Sequence, residues 1–391
     1  MEETARSDCT VTCSFKKRGG LIVDIQSKVG SLYGNAIKDQ VEEGCRALGV
    51  TDAVIHIVDQ GALPFVLAAR LEAAVKRGRP KISAEFLPGK QPARQTRGVK
   101  DRPRRSRLYL PGNEPKFMAN AGLHRPDMVI LDLEDSVAPS EKDKARFLVR
   151  NALRSVDFFD AERCVRINQG ALGVEDLAMV VPQFPDVILV PKCEDADTVR
   201  SIADAIQKVE HEHHLSGETL ILPIIESALG VVNAYAIASS SHRVCALAIG
   251  LEDYTADIGV ERTEEGRESF YARMSVMTNA KAVGVQALDS VWSDVEDLDG
   301  LRRSTLEAKA LGFDGKGCIH PRQIAVVHDA FKPTTAEVEK ASQIVAAAEA
   351  ARKSGLGVVS LGSKMIDAPV ILRAHRILRM ATFGVREEDP N

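Results

Sequence analysis

The chain has 391 residues, 45% hydrophobic and 27% charged, with a formal net charge of -4. Those proportions exclude a collagen-like or wholly disordered polypeptide and leave room for one large domain and a small one. No apolar run approaches the roughly 20 residues of a membrane span, the opening residues are polar rather than a secretory leader, and the acidic balance offers no general attraction to nucleic acid or anionic lipid. Seven cysteines without a C-x-x-C pair fit reduced thiols better than a disulfide framework. A soluble cytoplasmic enzyme, with neither a nucleic-acid nor a membrane partner, is the expectation.

Apolar alternation at 21–25 and the β-branched run 53–58 predict two strands. Between them Ile37, Val41, Cys45 and Leu48 recur at helical spacing, and 63–75 predicts a second amphipathic helix stopped by Gly78 and Pro80. A small α+β domain over 1–88 follows, with a core thin enough to predict docking on a larger neighbour. Residues 89–106 are basic, apolar-poor and broken by prolines, which predicts a flexible linker. Without interleaved aromatics the run does not resemble a nucleic-acid tail.

Short β-rich runs then fall at 107–110, 128–133, 164–167, 187–190, 220–225, 245–249, 285–290 and 316–319. Helical patterns such as 115–121, 140–153 and 228–238 separate them. About eight strand–helix units predict an α/β fold, a TIM (β/α)8 barrel over 107–330. An open doubly wound sheet competes, but no G-x-G-x-x-G follows the first strand. A helical extension over 331–391 closes the chain.

Polar residues stand at nearly every strand exit: Asn113; Glu134 and Asp135; Arg166 and Asn168; Lys192; Glu226; Glu252 and Asp253; Asp289; His320. In a barrel these exits share one mouth, where active-site groups gather. Glu226 and Asp253 end successive strands, and two such carboxylates repel unless a proton or cation lies between them. An oxygen-rich site with few protein ligands suits Mg2+; alternatively each residue caps the helix or turn that follows. Arg166 matches a carboxylate with its planar fork, either a substrate's or that of Glu134 or Asp135. Asn113 reads as the N-cap of a helix opened by Glu114-Pro115, whose free N–H groups could meet an anion or simply start the helix. His211, His213 and His214 read as a solvated helix end rather than a zinc site. The absence of a G-x-S-x-G elbow and a Walker A loop argues against a serine hydrolase and a P-loop NTPase.

Six segments occur in order: Leu110-Pro111-Gly112-Asn113, Leu131-Asp132-Leu133-Glu134-Asp135-Ser136-Val137, Val165-Arg166-Ile167-Asn168, Ile225-Glu226-Ser227-Ala228-Leu229-Gly230, Gly250-Leu251-Glu252-Asp253-Tyr254 and Gly315-Lys316-Gly317-Cys318-Ile319-His320-Pro321. From about residue 105 onward the chain resembles the citrate lyase β-subunit family of the HpcH/HpaI aldolases, which includes malyl-CoA and citramalyl-CoA lyases. The resemblance implies a metal-dependent barrel with Glu226 and Asp253 as Mg2+ ligands and Arg166 on the oxoacid carboxylate. It implies Glu134 and Asp135 beside the metal through water, and leaves Asn113, Asn168 and Lys192 as candidate substrate contacts. Ser363-Lys364-Met365-Ile366-Asp367-Ala368-Pro369 is similar to a segment that reaches a neighbouring subunit's site, so Asp367 is the candidate acid or base and a homo-oligomer is implied. Asp367 could equally cap the helix that follows it.

The N-terminal unit resembles the citrate lyase acyl carrier (γ) subunit through Arg6-Ser7-Asp8-Cys9, Gly61-Ala62-Leu63 and Ala69-Arg70-Leu71-Glu72-Ala73. That resemblance implies a CoA-derived prosthetic group on Ser7. The reaction implied is cleavage of a 3-hydroxy-acyl thioester, a citryl thioester giving oxaloacetate and an acetyl thioester, with a separate acyl-exchange subunit loading the carrier. Free CoA thioesters such as malyl-CoA or citramalyl-CoA are the alternative substrates, and a non-catalytic carrier or assembly protein is the alternative class.

Overall fold

Residues 6–91, 98–353, 359–361 and 364–382 are described in a computed structural model. The N-terminal sheet has three strands, β1 (Cys9–Phe15), β2 (Leu21–Ser27) and β3 (Ala53–Asp59), with β3 in the middle. β1 runs antiparallel to β3 and β2 runs parallel to it. Alternation at 21–25 and 53–58 announces β2 and β3; β1 lies outside the predicted strands, although its β-branched Thr10, Val11 and Thr12 favour extended backbone. Ile55 and Ile57 of β3 bury against Val41 and Cys45 of the helix Gly30–Ala47 and Leu71 of the helix Pro64–Gly78. Gly44 is required where these helices meet: a Cβ there would lie 2.6 Å from Leu71 Cδ2 and 2.8 Å from Phe86 Cδ1.

The helix Pro64–Gly78 also packs on the helix Lys142–Ser155 of the barrel. Arg150 Nη2 lies 2.7 Å from Glu72 Oε2, and both side chains are fully buried. Glu72 additionally accepts from Phe86 N at 3.0 Å and pairs with Lys76 at 2.8 Å. Asn151 Nδ2 donates to the Phe65 carbonyl at 3.1 Å.

Of the basic stretch, residues 92–97 lie outside the described residues. Its far end departs from the expected flexible linker. Arg104 is completely buried, with Nε and Nη2 each 2.7 Å from the Glu162 carboxylate, and Arg105 Nε lies 2.8 Å from Asp127. Composition counts charges but not partners, and these arginines meet their carboxylates only at the N-terminal end of the barrel.

The barrel strands are β4 (Ser106–Pro111), β5 (Met128–Asp132), β6 (Glu162–Arg166), β7 (Val187–Val190), β8 (Leu220–Ile225), β9 (Ala246–Ile249), β10 (Gln286–Val291) and β11 (Gly315–Cys318). All pair in parallel, and β11 closes onto β4. Helices follow the strands as a (β/α)8 barrel requires. The helix expected over 228–238 breaks into Ala228–Val232 and Ala234–Ser239 at Asn233, whose Nδ2 donates to the Glu194 carbonyl at 2.8 Å. Met128, Ile130, Leu189, Leu222, Ile224 and Leu288 fill the interior.

Asp289 of β10 is also inside, 2.9 Å from Lys316 Nζ and 3.1 Å from Arg273 Nη2. Burial alone would raise its carboxyl, but the two cations hold it at about 2. Lys316 ends below its ordinary range because desolvation outweighs its one carboxylate partner.

Residues 325–391 form a second unit. Within it the helices Thr335–Lys353 and Ala368–Thr382 share a core of Ala341, Ile344, Ile366 and Ala374, and Val359–Leu361 pairs antiparallel with Lys364–Ile366. No helix of the described residues is long and apolar enough to cross a membrane.

Two measurements test this packing. Glu72→Ala strands the buried Arg150 charge and is expected to cost about 3–5 kcal/mol in denaturant unfolding; a loss below about 1 kcal/mol would mean the pair carries no stabilising role. Asp289 is ionised in the native chain at pH values where an unfolded aspartate is protonated. Its contribution is therefore full above about pH 4 and is lost as pH falls toward its folded value of about 2. Asp289→Asn should flatten the fall in stability over that interval, and unchanged slopes would remove Asp289 from the acid response.

Candidate active site

A cavity of about 440 Å3 opens at the carboxyl ends of the barrel strands, lined by Asp132, Asp135, Arg166, Glu226 and Asp253 together with Arg107, Tyr109, Ser136, Gly250 and Ser290. Glu226 follows β8 and is 4% exposed. Ser227, not Glu226, caps the next helix, its Oγ accepting from Gly230 N at 3.1 Å. That leaves the Glu226 carboxylate in the mouth, where Oε1 accepts from Lys192 N at 2.6 Å. Only glycine fits opposite it: a Cβ on Gly250 would lie 2.5 Å from Glu226 Oε2. Asp253 sits in the first turn of the helix Leu251–Asp257 rather than before a polar turn. Burial, with the charge of Asp253 added, pushes the Glu226 carboxyl up to about 7 against the pull of the Lys192 N–H.

Arg166 ends β6 and is gripped by Asp132, to which Nε and Nη2 each donate at 2.6 Å. Its Nη1 lies 3.1 Å from Glu134 and 3.3 Å from Asp135, and its guanidinium carbon is 5.6 Å from the centroid of the Tyr109 ring. The ion pairing expected with Glu134 or Asp135 is present, but Asp132, given no role by the sequence, is the principal partner. Burial opposes the Arg166 charge, yet Asp132 more than offsets it and keeps the guanidinium above its usual range. Asp132 also accepts from Glu134 N at 2.9 Å and Ser136 N at 3.1 Å, so one carboxylate orders both the arginine and the acidic loop.

Lys192 adopts a positive φ of 48° and reaches Glu134 at 2.9 Å and Asp135 at 3.2 Å. Burial pushes the Glu134 carboxyl up, whereas Asp135, also opposed by desolvation, is held down by Glu134, Arg166 and Lys192. Asn168 is committed elsewhere: its main-chain N and Nδ2 both donate to Asp176 Oδ2 at 2.8 Å. Asn113 is not the expected N-cap, a position held by Glu114 without a side-chain bond. The Asn113 carbonyl accepts from Arg70 Nη2 at 3.1 Å. Asn113, Glu134, Asn168 and Lys192 thus surround the cavity without lining it.

Ser7 has a positive φ of 64° and donates its N–H to the Gln60 carbonyl at 3.1 Å. The next residue, Asp8, accepts from Arg70 Nε and Nη2 at 2.9 and 2.8 Å, so the Ser7 turn is tied through Arg70 to the loop that leaves β4. Asp367, in the second unit, is exposed and caps the helix Ala368–Thr382, its Oδ1 accepting from Val370 N at 3.2 Å. His211, His213 and His214 are exposed at the end of the helix Ala196–Glu212. Sequence reasoning missed Asp132, Arg107 and Tyr109 as site residues. Period-2 alternation along β4 puts Arg107 and Tyr109 on one face, and a charged residue opening an apolar strand was the available signal.

Residues 4–78 match the acyl carrier family described as malonate decarboxylase delta subunit, so the N-terminal unit is of the acyl-carrier type. Citrate lyase subunit beta of Haemophilus influenzae is 42% identical over 69% of this chain and 94% of its own length. Mitochondrial citramalyl-CoA lyase of Mus musculus is 34% identical over 66% of this chain and 79% of its own. The crystal structure of CitE from Mycobacterium tuberculosis in complex with magnesium, acetoacetate and coenzyme A aligns with a TM-score of 0.59 and 30% identity, covering 72% of this chain and 99% of that one. With residues 105–321 matching its barrel, the chain belongs to the HpcH/HpaI aldolase/citrate lyase family.

Proposed function

We propose that the chain is a Mg2+-dependent carbon–carbon lyase that converts a citryl thioester into oxaloacetate and an acetyl thioester. The observation that carries this reading is the meeting of Glu226 and Asp253 in a cavity whose wall also bears Arg166. Such carboxylates call for a cation between them. Their hard oxygen donors fit Mg2+, and two protein carboxylates would leave its other coordination positions to water and substrate oxygens. When bound there, Mg2+ supplies a Lewis acid for charge on the substrate's hydroxyl oxygen.

Arg166 orients a substrate carboxylate through Nη1 while Asp132 prevents the guanidinium from turning. Glu134 and Asp135 would reach a cation held by Glu226 and Asp253 through water. As the carbon–carbon bond breaks, its electron pair stays on the α-carbon of the acetyl thioester and the hydroxyl oxygen, losing its proton, becomes the keto oxygen. A proton must then reach that carbon, and Asp367 of a neighbouring copy is its donor, a role that requires a homo-oligomer. The small domain is the carrier, with a CoA-derived group on Ser7 and a separate acyl-exchange subunit to load it. The tie from Asp8 through Arg70 to Asn113 supports delivery to the same chain's barrel. Seven unbridged thiols support a reducing, cytoplasmic setting.

The coenzyme A bound by CitE and the citramalyl-CoA lyase relative favour a second reading, cleavage of free CoA thioesters such as malyl-CoA or citramalyl-CoA. Intact-mass measurement separates the two: an adduct that Ser7→Ala removes supports the carrier, whereas an unmodified chain active on free thioesters supports the second reading. Cleavage assays on citryl-CoA, malyl-CoA and citramalyl-CoA with Mg2+ test the reaction itself, and inactivity on all three would defeat it. Glu226→Gln and Asp253→Asn are expected to abolish turnover, and chelation to abolish it reversibly. Asp132→Asn should lower kcat/KM about 100-fold by releasing Arg166, with unfolding midpoints to separate this from a loss of fold.

A further inference from the structure

Arg107 lies near the start of β4, 1% exposed, and lines the floor of the cavity. Its Nη2 donates to the Asp289 carbonyl. Nε and Nη1 have no hydrogen-bond partner among the described residues. A guanidinium without a counter-charge is costly to desolvate, and the adjacent Asp289 carboxylate is already taken by Lys316 and Arg273. The floor therefore carries cationic excess, while Asp132, Asp135, Glu226 and Asp253 make the rim acidic. Arg166 differs from Arg107 in this respect, because its Nε and Nη2 are both occupied by Asp132.

We infer that Arg107 is an anion subsite for the second carboxylate of the oxoacid half of the substrate, selecting a dicarboxylic over a monocarboxylic 2-oxoacid. The inference rests on the lyase reading, in which Arg166 orients the other carboxylate. A dicarboxylate held at the rim by one end can place its other end on Nε or Nη1 of Arg107, restoring the missing partners with charge-assisted bonds. A monocarboxylic oxoacid such as pyruvate has only a methyl group to offer there. Specificity then arises because a site built to bond a polar group rejects an analogue that lacks it.

The test is calorimetric binding of oxaloacetate and of pyruvate to the full chain with Mg2+. The wild-type chain should bind oxaloacetate at least about tenfold more tightly than pyruvate, and Arg107→Met should weaken oxaloacetate about 10–100-fold while leaving pyruvate within about twofold. Equal wild-type affinities overturn the subsite without recourse to any variant. A folded Arg107→Met chain that loses both oxoacids alike, or neither, overturns it as well and leaves the lyase reading standing. A wild-type chain that binds neither oxoacid overturns both.

Discussion

Two 2.6 Å hydrogen bonds from Arg166 to Asp132 organise the mouth of this barrel. Asp132 ends β5 and Arg166 ends β6, and the pair sits on adjacent strands in register. A buried carboxylate and a buried guanidinium each carry a desolvation cost that only close, well-directed bonds offset. Because the same carboxylate also accepts the Glu134 and Ser136 N–H groups, the loop bearing Glu134 and Asp135 is fixed by the bond that fixes the arginine. Lys192 then closes onto that loop from the next strand exit, and its own N–H holds Glu226. Asp132, Glu134, Asp135 and Glu226 thus belong to one connected network.

Charge is layered through the barrel. At the N-terminal end Arg104 and Arg105 are neutralised by Glu162 and Asp127. In the interior Asp289 serves Lys316 and Arg273 at once. At the mouth the balance reverses, with burial and the nearby Asp253 charge both opposing ionisation of Glu226. A site in that condition is suited to a cation, and under the proposed function the cation and Arg166 divide the work of polarising and orienting the substrate.

Docking of the small domain gives the two-part chain a shared economy. The Glu72–Arg150 pair is buried between them, and the Asp8–Arg70–Asn113 connection runs from the Ser7 turn to the loop after β4. A thin three-stranded sheet gains a second surface against which to bury its helix Pro64–Gly78. Under the carrier reading, the thioester arm begins beside the barrel rather than at the end of a free tether.

Much of the barrel was legible because its strands are short apolar runs whose polar exits recur at regular intervals, as β5, β7 and β8 illustrate. Glu226 and Asp253 were legible for the same reason, since successive strands of a closed barrel must bring their ends to one mouth. Asp132, Arg107 and the ends of the basic stretch were not. A charged residue in a strand looks alike whether it faces substrate, a partner or a structural counter-ion, and its partner can be anywhere in the chain. Arg104 meets Glu162, and Arg150 meets Glu72, across separations no local pattern spans. Periodicity and strand order were thus determined by the sequence itself, because they depend on neighbours along the chain. Which arginine is satisfied and which, like Arg107, keeps N–H groups without a partner among the described residues was decided only by tertiary structure, because ion pairing depends on distances that closure of the barrel creates.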